Sequence, residues 1–159
     1  MFDEIAVGGG FLVLSPMPGR GGDLAGDLAA LQALQPDWVL SLVENGEFAQ
    51  VPGLFAALQA GDLGVWLRFP IADFGVPDAV RAALWPELCA DICQRLARGE
   101  RGVVHCMGGC GRTGMIVLRL MVVLGEQPDA SLARLRECRA CCVETEPQRL
   151  WALAQDRVG

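Results

Sequence analysis

The sequence predicts a single α/β domain in which a central, mostly parallel sheet of four to five strands is flanked by helices. The first observation behind this prediction is the alternation of short apolar runs with longer segments whose apolar residues recur at helical spacing. Strands joined by helices run parallel, because each helix carries the chain back across the sheet. The second observation is a glycine-rich turn between an apolar strand and an apolar helix. Such turns lie at the carboxyl ends of parallel strands, where these sheets bind ligands.

The predicted elements follow one another closely and leave no linker for a second domain. At 159 residues the chain is long enough to bury one core. Residues 1–10 are expected to form a loose N-terminal lead-in, and residues 11–159 the domain. Strands are predicted at 11–14, 37–43, 65–69 and 101–105, and helices at 23–34, 52–60, 78–98, 113–124, 128–139 and 147–156. Pro86 is expected to kink or split the third helix, because proline fits best in a first helical turn.

Composition and charge exclude several classes of protein. The net charge of −6 argues against nucleic-acid binding and against attachment to an anionic membrane. The longest apolar run, residues 115–124, contains Arg119 and is too short to span a bilayer. All 13 basic residues are arginine, which together with the abundance of alanine and glycine suggests a bacterial source. Seven cysteines, an odd number, suggest reduced thiols in the cytoplasm rather than a disulfide scaffold, and the presence of only one histidine argues against a structural zinc site.

The glycine-rich turn combines an anion site with a nucleophile. Five residues separate Cys106 from Arg112, and three of them are glycine. Glycines at this density allow successive backbone N–H groups to face one concavity, and the helix that follows adds its positive end. A thiolate at the mouth of such a site is stabilised, and an arginine side chain binds two phosphate oxygens at once. The turn is therefore predicted to bind phosphate, through the residues Met107, Gly108, Gly109, Cys110, Gly111 and Arg112.

Residues 105–114 (HCMGGCGRTG) match the HCxxGxxR[S/T]G signature of cysteine-dependent protein phosphatases. Residues 70–78 (PIADFGVPD) and 51–58 (VPGLFAAL) resemble segments of the compact dual-specificity group, most closely the kinase-associated phosphatase type. The resemblance covers about residues 11–155. It implies a protein tyrosine phosphatase-like fold and hydrolysis of phosphotyrosine and phosphoserine or phosphothreonine in proteins. It also implies a phosphocysteine intermediate, formed without a metal ion or any other cofactor.

The predicted chemistry needs a nucleophile, charge stabilisation and a proton donor. Cys106 is the expected nucleophile, since a thiolate both attacks phosphorus and leaves in the second step. Asp73 lies in a proline-bounded loop after a strand end, where the family keeps its general acid, and would activate water in the hydrolytic step. Asp78 is the alternative acid, although its position ahead of a helix suits a capping role.

Three further residues are assigned by the resemblance, each with a plainer alternative. Thr113 is expected to hydrogen-bond the Cys106 sulfur and ease its departure, or else to cap a helix. Gln148 resembles the residue that positions the hydrolytic water, or is an ordinary polar residue of a first helical turn. His105 is expected to shape the loop rather than to carry protons. Glu144 departs from the related group, which has an amide there, and is expected to point away from the phosphate.

Cys110 and several arginines leave alternatives open. Cys110 is either a redox partner that protects an oxidised Cys106 as a disulfide, or a small tolerated side chain. Arg20 is a weak candidate for substrate contact. Arg134, Arg136 and Arg139 are expected to form a solvated helix face.

Three functions compete on this sequence. The first is a phosphatase acting on a phosphorylated protein partner, or on a non-protein substrate such as a phosphoinositide or nucleotide. The second is a phosphate-binding interaction module without useful turnover. The third is a redox protein that uses Cys106 and Cys110. The sequence does not indicate an oligomeric state.

Overall fold

The computed structural model describes residues 1–154 and contains a five-stranded sheet in the order β1-β2-β5-β3-β4. The strands are β1 (Asp3–Val7), β2 (Gly10–Ser15), β3 (Trp38–Ser41), β4 (Val65–Arg68) and β5 (Arg101–His105). Only β1 pairs antiparallel, with β2, and the other neighbours run parallel. The α/β class and the mostly parallel sheet are confirmed.

The helices occupy the predicted segments. They are α1 (Leu24–Gln32), α2 (Leu54–Gln59), α3 (Ala79–Ala97), α4 (Gly111–Val123), α5 (Pro128–Cys138) and α6 (Glu146–Leu153), with a 3₁₀ turn over Asn45–Gln50. α3 runs through Pro86 without a break. The predicted end of the last helix at residue 156 lies outside the described residues. No helix within residues 1–154 is long and apolar enough to cross a membrane.

The expected lead-in at residues 1–10 contains strand β1. Gly8 and Gly9 have φ of 61° and 94°, which permits the tight turn of a β-hairpin between right-twisted strands. Ile5 and Val7 alternate with exposed residues and are buried on the sheet, opposite Leu12 and Gly10 of β2. This alternation over only five residues is the signal that the sequence analysis missed.

Side chains of the sheet alternate between two core clusters, one on each face. Leu12 of β2 and Val104 of β5 pack with α3, α4, α5 and α6, while Val13 and Val103 pack with α1 and α2. Gly102 of β5 must lack a side chain, because a Cβ there would lie 2.0 Å from the ring of the buried Trp38. Helices therefore cover both faces, and α4 is buried along nearly its whole length. The turn from β5 into α4 is held between these layers.

Candidate active site

The turn after β5, residues 107–112, forms a concave loop that we call the cradle. Carbonyl groups of this loop face outward. The Met107 carbonyl accepts a hydrogen bond from the Met17 amide at 3.0 Å. The carbonyls of Gly108 and Gly109 accept from the Arg139 guanidinium at 3.0 and 2.8 Å. Because the C=O and N–H of a trans peptide point in opposite directions, the following amides turn inward. The cradle that the sequence predicted is therefore held open by groups outside it.

One glycine of the cradle is required by its surroundings. Gly109 has φ of 70°, and a Cβ at this position would lie 2.5 Å from the backbone of Ser15. A left-handed conformation and a backbone neighbour at that distance leave room only for glycine. Cys106, at the start of the cradle, is buried and free, with 3% of its surface exposed.

Arg112 is buried at the other end of the cradle and is fixed by an acidic partner. Its guanidinium forms two hydrogen bonds to Glu47, at 2.8 and 2.9 Å, and one to the Ile71 carbonyl at 3.0 Å. Burial of the Glu47 carboxyl raises its pKa, but the hydrogen bonds from Arg112 and from the Glu44 amide outweigh burial and lower the pKa overall. Arg112 is thus a preorganised cation whose buried Nε, without a hydrogen-bond partner within residues 1–154, is left for a ligand.

Glu47 is a site residue that the sequence analysis missed. The one available signal was its position in the segment that follows β3, since parallel strands bring the residues after their carboxyl ends to one edge. A glutamate in a polar turn has no distinguishing pattern, so its pairing with Arg112 follows only from the fold.

The structure brings Asp73, and not Asp78, against Arg112. Asp73 Oδ1 lies 3.2 Å from Arg112 Nη2 and also accepts from the Phe74 amide at 3.0 Å. Its side chain remains 53% exposed. Asp78 accepts a hydrogen bond from the Arg81 amide at 2.8 Å and caps α3. Asp78 therefore has the capping role, and Asp73 is the carboxylate of the two that lies beside Arg112.

His105 belongs to a buried network beneath the cradle. Its Nδ1 lies 3.2 Å from the Cys106 carbonyl, and its Nε2 lies 2.6 Å from the Ser41 hydroxyl oxygen, which also accepts from Trp66 Nε1. A carbonyl only accepts, so Nδ1 donates and the Ser41 hydroxyl donates to Nε2. Burial lowers the pKa of His105 to about 4, so the ring is neutral near pH 7. A neutral ring with both nitrogens engaged fits the expected shaping role.

Cys110 forms a disulfide with Cys141, and neither expectation for Cys110 anticipated this bond. The two residues are 31 positions apart, with their Cα atoms 5.2 Å from each other. The prediction of reduced cysteines is wrong for this pair, and Cys110 is not bonded to Cys106. The adjacent cysteines at 141 and 142 gave no indication of the pairing, because it depends on the approach of the segment before α6 to the cradle.

The amide of Gln148 is engaged in structural contacts. Its Oε1 accepts from the amides of Glu144 and Thr145 at 3.0 and 3.2 Å, and its Nε2 donates to the Gly75 carbonyl at 3.2 Å. Gln148 therefore caps α6 and ties it to the loop that carries Asp73. Within residues 1–154, the buried Thr113 hydroxyl has no hydrogen-bond partner, so the expected bond to the Cys106 sulfur is not formed in this structure.

Two charged groups lie closer to the cradle than expected. Glu144 Oε1 accepts a hydrogen bond from the Gly111 amide at 2.7 Å, so the expectation that Glu144 points away is wrong. Arg139, expected on a solvated face, bonds the cradle carbonyls and pairs with Asp3 at 2.8 Å. Arg20 donates to the Met107 carbonyl at 3.2 Å and lies at the rim.

No family model and no curated protein matches this chain. Among solved structures, it resembles kinase-associated phosphatase with serine in place of the catalytic cysteine, at a TM-score of 0.81 and 21% identity, covering 96% of this chain and 91% of that one. It resembles the active form of Tk-PTP at a TM-score of 0.70 and 29% identity, covering 89% of this chain and 90% of that one. It resembles TpbA of P. aeruginosa in complex with phosphotyrosine at a TM-score of 0.60 and 21% identity, covering 91% of this chain and 80% of that one. The chain therefore has the fold of the protein tyrosine and dual-specificity phosphatases.

Proposed function

We propose that this protein is a cysteine-dependent phosphatase that hydrolyses phosphotyrosine and phosphoserine or phosphothreonine in phosphorylated proteins. The observation that carries the proposal is the buried, free Cys106 at the start of a cradle of inward-facing amides that ends at the fixed Arg112. Similarity to solved phosphatases, among them one bound to phosphotyrosine, supports a phosphorylated substrate.

In the first step, the Cys106 thiolate attacks phosphorus in line with the ester oxygen. The sulfur–phosphorus bond forms as the phosphorus–oxygen ester bond breaks, and Asp73 gives its proton to the departing oxygen. The cradle amides and Arg112 bind the three remaining oxygens, whose negative charge they stabilise without reorganising. Asp73 is suited to this role because it is half exposed and lies next to Arg112.

In the second step, the Asp73 carboxylate removes a proton from water, whose oxygen attacks the phosphocysteine. The phosphorus–sulfur bond then breaks, releasing inorganic phosphate and the Cys106 thiolate. Gln148 contributes to this step as a positioning residue, since it bonds the carbonyl of Gly75, two residues beyond Asp73. Thr113, whose hydroxyl has no hydrogen-bond partner within residues 1–154, is the expected donor to the departing sulfur.

The test is hydrolysis of an aryl phosphate in the presence of a metal chelator. The Cys106→Ser variant is expected to lose nearly all activity, because serine is not ionised near neutral pH. The Asp73→Asn variant is expected to lose about 100-fold or more in kcat, with the loss depending on pH and on the leaving group. Asp78→Asn is the matched control and should retain the wild-type rate constant. Full activity of Cys106→Ser would rule out the mechanism.

The competing interaction module is favoured by one observation, the Glu144 carboxylate at the Gly111 amide. A carboxylate bound to a cradle amide competes with phosphate for that donor. If wild-type protein binds a phosphopeptide but releases no phosphate over many hours, the interaction module replaces the phosphatase proposal.

A further inference from the structure

A recess with two arginines lies beside the cradle. It encloses about 370 Å³ and is lined by Asn45, Arg68, Phe69, Pro70, Arg81, Leu84 and Leu88. Its walls share two segments with the candidate site, because Asn45 is two residues before Glu47 and Phe69 is two residues before Ile71. Glu47 and the Ile71 carbonyl are the groups that hold Arg112. The recess and the cradle are therefore neighbouring sites that do not share an arginine.

Arg68 is held in a fixed position and has no counter-ion within residues 1–154. Its guanidinium carbon lies 4.8, 5.4 and 5.7 Å from the ring centres of Trp66, Phe55 and Phe48. One of its nitrogens donates to the Asn45 side-chain oxygen. Stacking on aromatic rings and a bond to a neutral amide orient the guanidinium while leaving its charge uncompensated.

Arg81 adds a second uncompensated charge to the same recess. Its Nε is buried and has no hydrogen-bond partner within residues 1–154. Neither Arg81 nor Arg68 forms an ion pair with a carboxylate in this part of the chain. In a protein of net charge −6, acidic side chains are abundant. Two arginines that line one recess and have no acidic partner within residues 1–154 therefore favour binding of an external anion there.

The surface along α3 changes its charge from the recess onward. Further along α3, a smaller depression of about 300 Å³ is lined by Leu84, Glu87, Leu88 and Asp91. The positive end of the surface thus lies toward the cradle and the negative end lies away from it. Leu84, 50% exposed, supplies apolar surface between the two. An extended polypeptide with an acidic group near its phosphorylated residue has matching charge and apolar contacts along this path.

We infer that the recess binds a second anionic group of the polypeptide substrate, either an acidic side chain or a second phosphoryl group, next to the residue that is dephosphorylated. This inference rests on the proposed phosphatase function and names the substrate class of that site. A fixed guanidinium pair recognises a carboxylate or phosphate by charge-assisted hydrogen bonds. The preference is expected to weaken at high salt, because the recess is open to solvent.

The experiment compares phosphopeptides in which a single glutamate is scanned through the positions on either side of the phosphorylated residue. Wild-type protein should prefer one placement over the uncharged peptide, mainly through a lower KM. The Arg68→Gln, Arg81→Gln double variant should lose about tenfold in kcat/KM on that peptide and keep the wild-type rate on a small aryl phosphate. Arg98→Gln, at the far end of α3, is the matched control. Arg68→Lys, which keeps the charge, should retain part of the preference.

Other outcomes would overturn the inference. The recess does not bind acidic groups of the substrate if the wild-type protein does not distinguish the peptides. The same conclusion follows if the double variant still distinguishes them. A loss in the double variant confined to soluble phosphoinositides would assign the recess to a lipid headgroup. If the wild type hydrolyses no aryl phosphate, the proposed function fails instead. Anisotropy measurements of peptide binding to Cys106→Ser, with and without the two arginine substitutions, then test the recess without turnover.

Discussion

At the scale of single residues, the occupancy of the cradle depends on Glu144. Its carboxylate bonds the Gly111 amide, one of the donors that a phosphate would use. Glu144→Gln keeps an acceptor at this position but removes the negative charge, so repulsion of an anionic ligand falls. We expect the KM for an aryl phosphate to decrease about threefold to tenfold, since a partly exposed charge contributes about 1 kcal/mol.

The control for this substitution is Glu146→Gln. Glu146 lies two positions further along and pairs with Arg149 on the surface, so its loss changes the net charge equally without altering the cradle. Steady-state kinetics and competition by vanadate measure both variants. An equal effect of the two substitutions would mean that only the overall charge matters.

His105 makes the stability of the protein depend on pH. Its folded-state pKa of about 4 lies below the ordinary value of 6.5, so the unfolded chain binds more protons between these values. The contribution of His105 to stability is therefore fully present above pH 6.5 and is lost as the pH falls toward about 4. The loss amounts to roughly 3 kcal/mol for a shift of this size.

Urea unfolding of the wild type and of His105→Asn across this range measures the effect. The variant should be less stable near neutral pH, because Ser41 and the Cys106 carbonyl lose a partner, and its stability should change less with pH between 6.5 and the onset of carboxyl titration. Identical pH profiles for the two proteins would contradict the assignment of the titration to His105.

At the scale of secondary-structure elements, the Cys110–Cys141 disulfide ties the cradle to the segment before α6. Closing a loop with a sequence separation of 31 restricts the unfolded chain. We expect Cys141→Ser to lower the free energy of unfolding by about 2–4 kcal/mol in the absence of reductant. Reductant should destabilise the wild type by a similar amount and leave the variant unchanged.

Cys93→Ser is the matched control, because Cys93 is a free cysteine on α3. Its unfolding should respond to reductant as the wild type does. If reductant shifts neither the wild type nor the control, the bond contributes nothing to stability under those conditions.

The elements also show which features could be predicted from sequence. The apolar periodicity of α4 and the spacing from Cys106 to Arg112 are local, so the helix, the strand before it and the cradle could be predicted. The partners of the cradle were missed because they come from distant positions. Glu47, Cys141 and Arg139 reach it only through the packing of other elements. The pattern of β1 was too short to separate a strand from a loose lead-in.

At the scale of the whole molecule, Arg139 links the first residues of the chain to the cradle. From the position that follows α5, it bonds the Met1 carbonyl and pairs with Asp3, while other nitrogens of the same guanidinium bond the carbonyls of Gly108 and Gly109. The first residues and the cradle are therefore coupled through a single side chain. A change at Arg139 is expected to affect activity and stability together.

Replacing Arg139 by glutamine leaves the carbonyls of Gly108 and Gly109 short of donors, so their peptide groups are free to rotate and the following amides to leave the cradle. We expect kcat/KM for an aryl phosphate to fall about tenfold to 100-fold, the cost of losing one or more oriented donors. Asp3→Asn removes only the ion pair and should lower stability without a comparable effect on kcat/KM. Arg149→Gln, which removes a surface ion pair with Glu146, controls for the loss of charge. If Asp3→Asn reduced kcat/KM as much as Arg139→Gln, the N-terminal contact, and not the two carbonyl bonds, would be what keeps the cradle in its active shape.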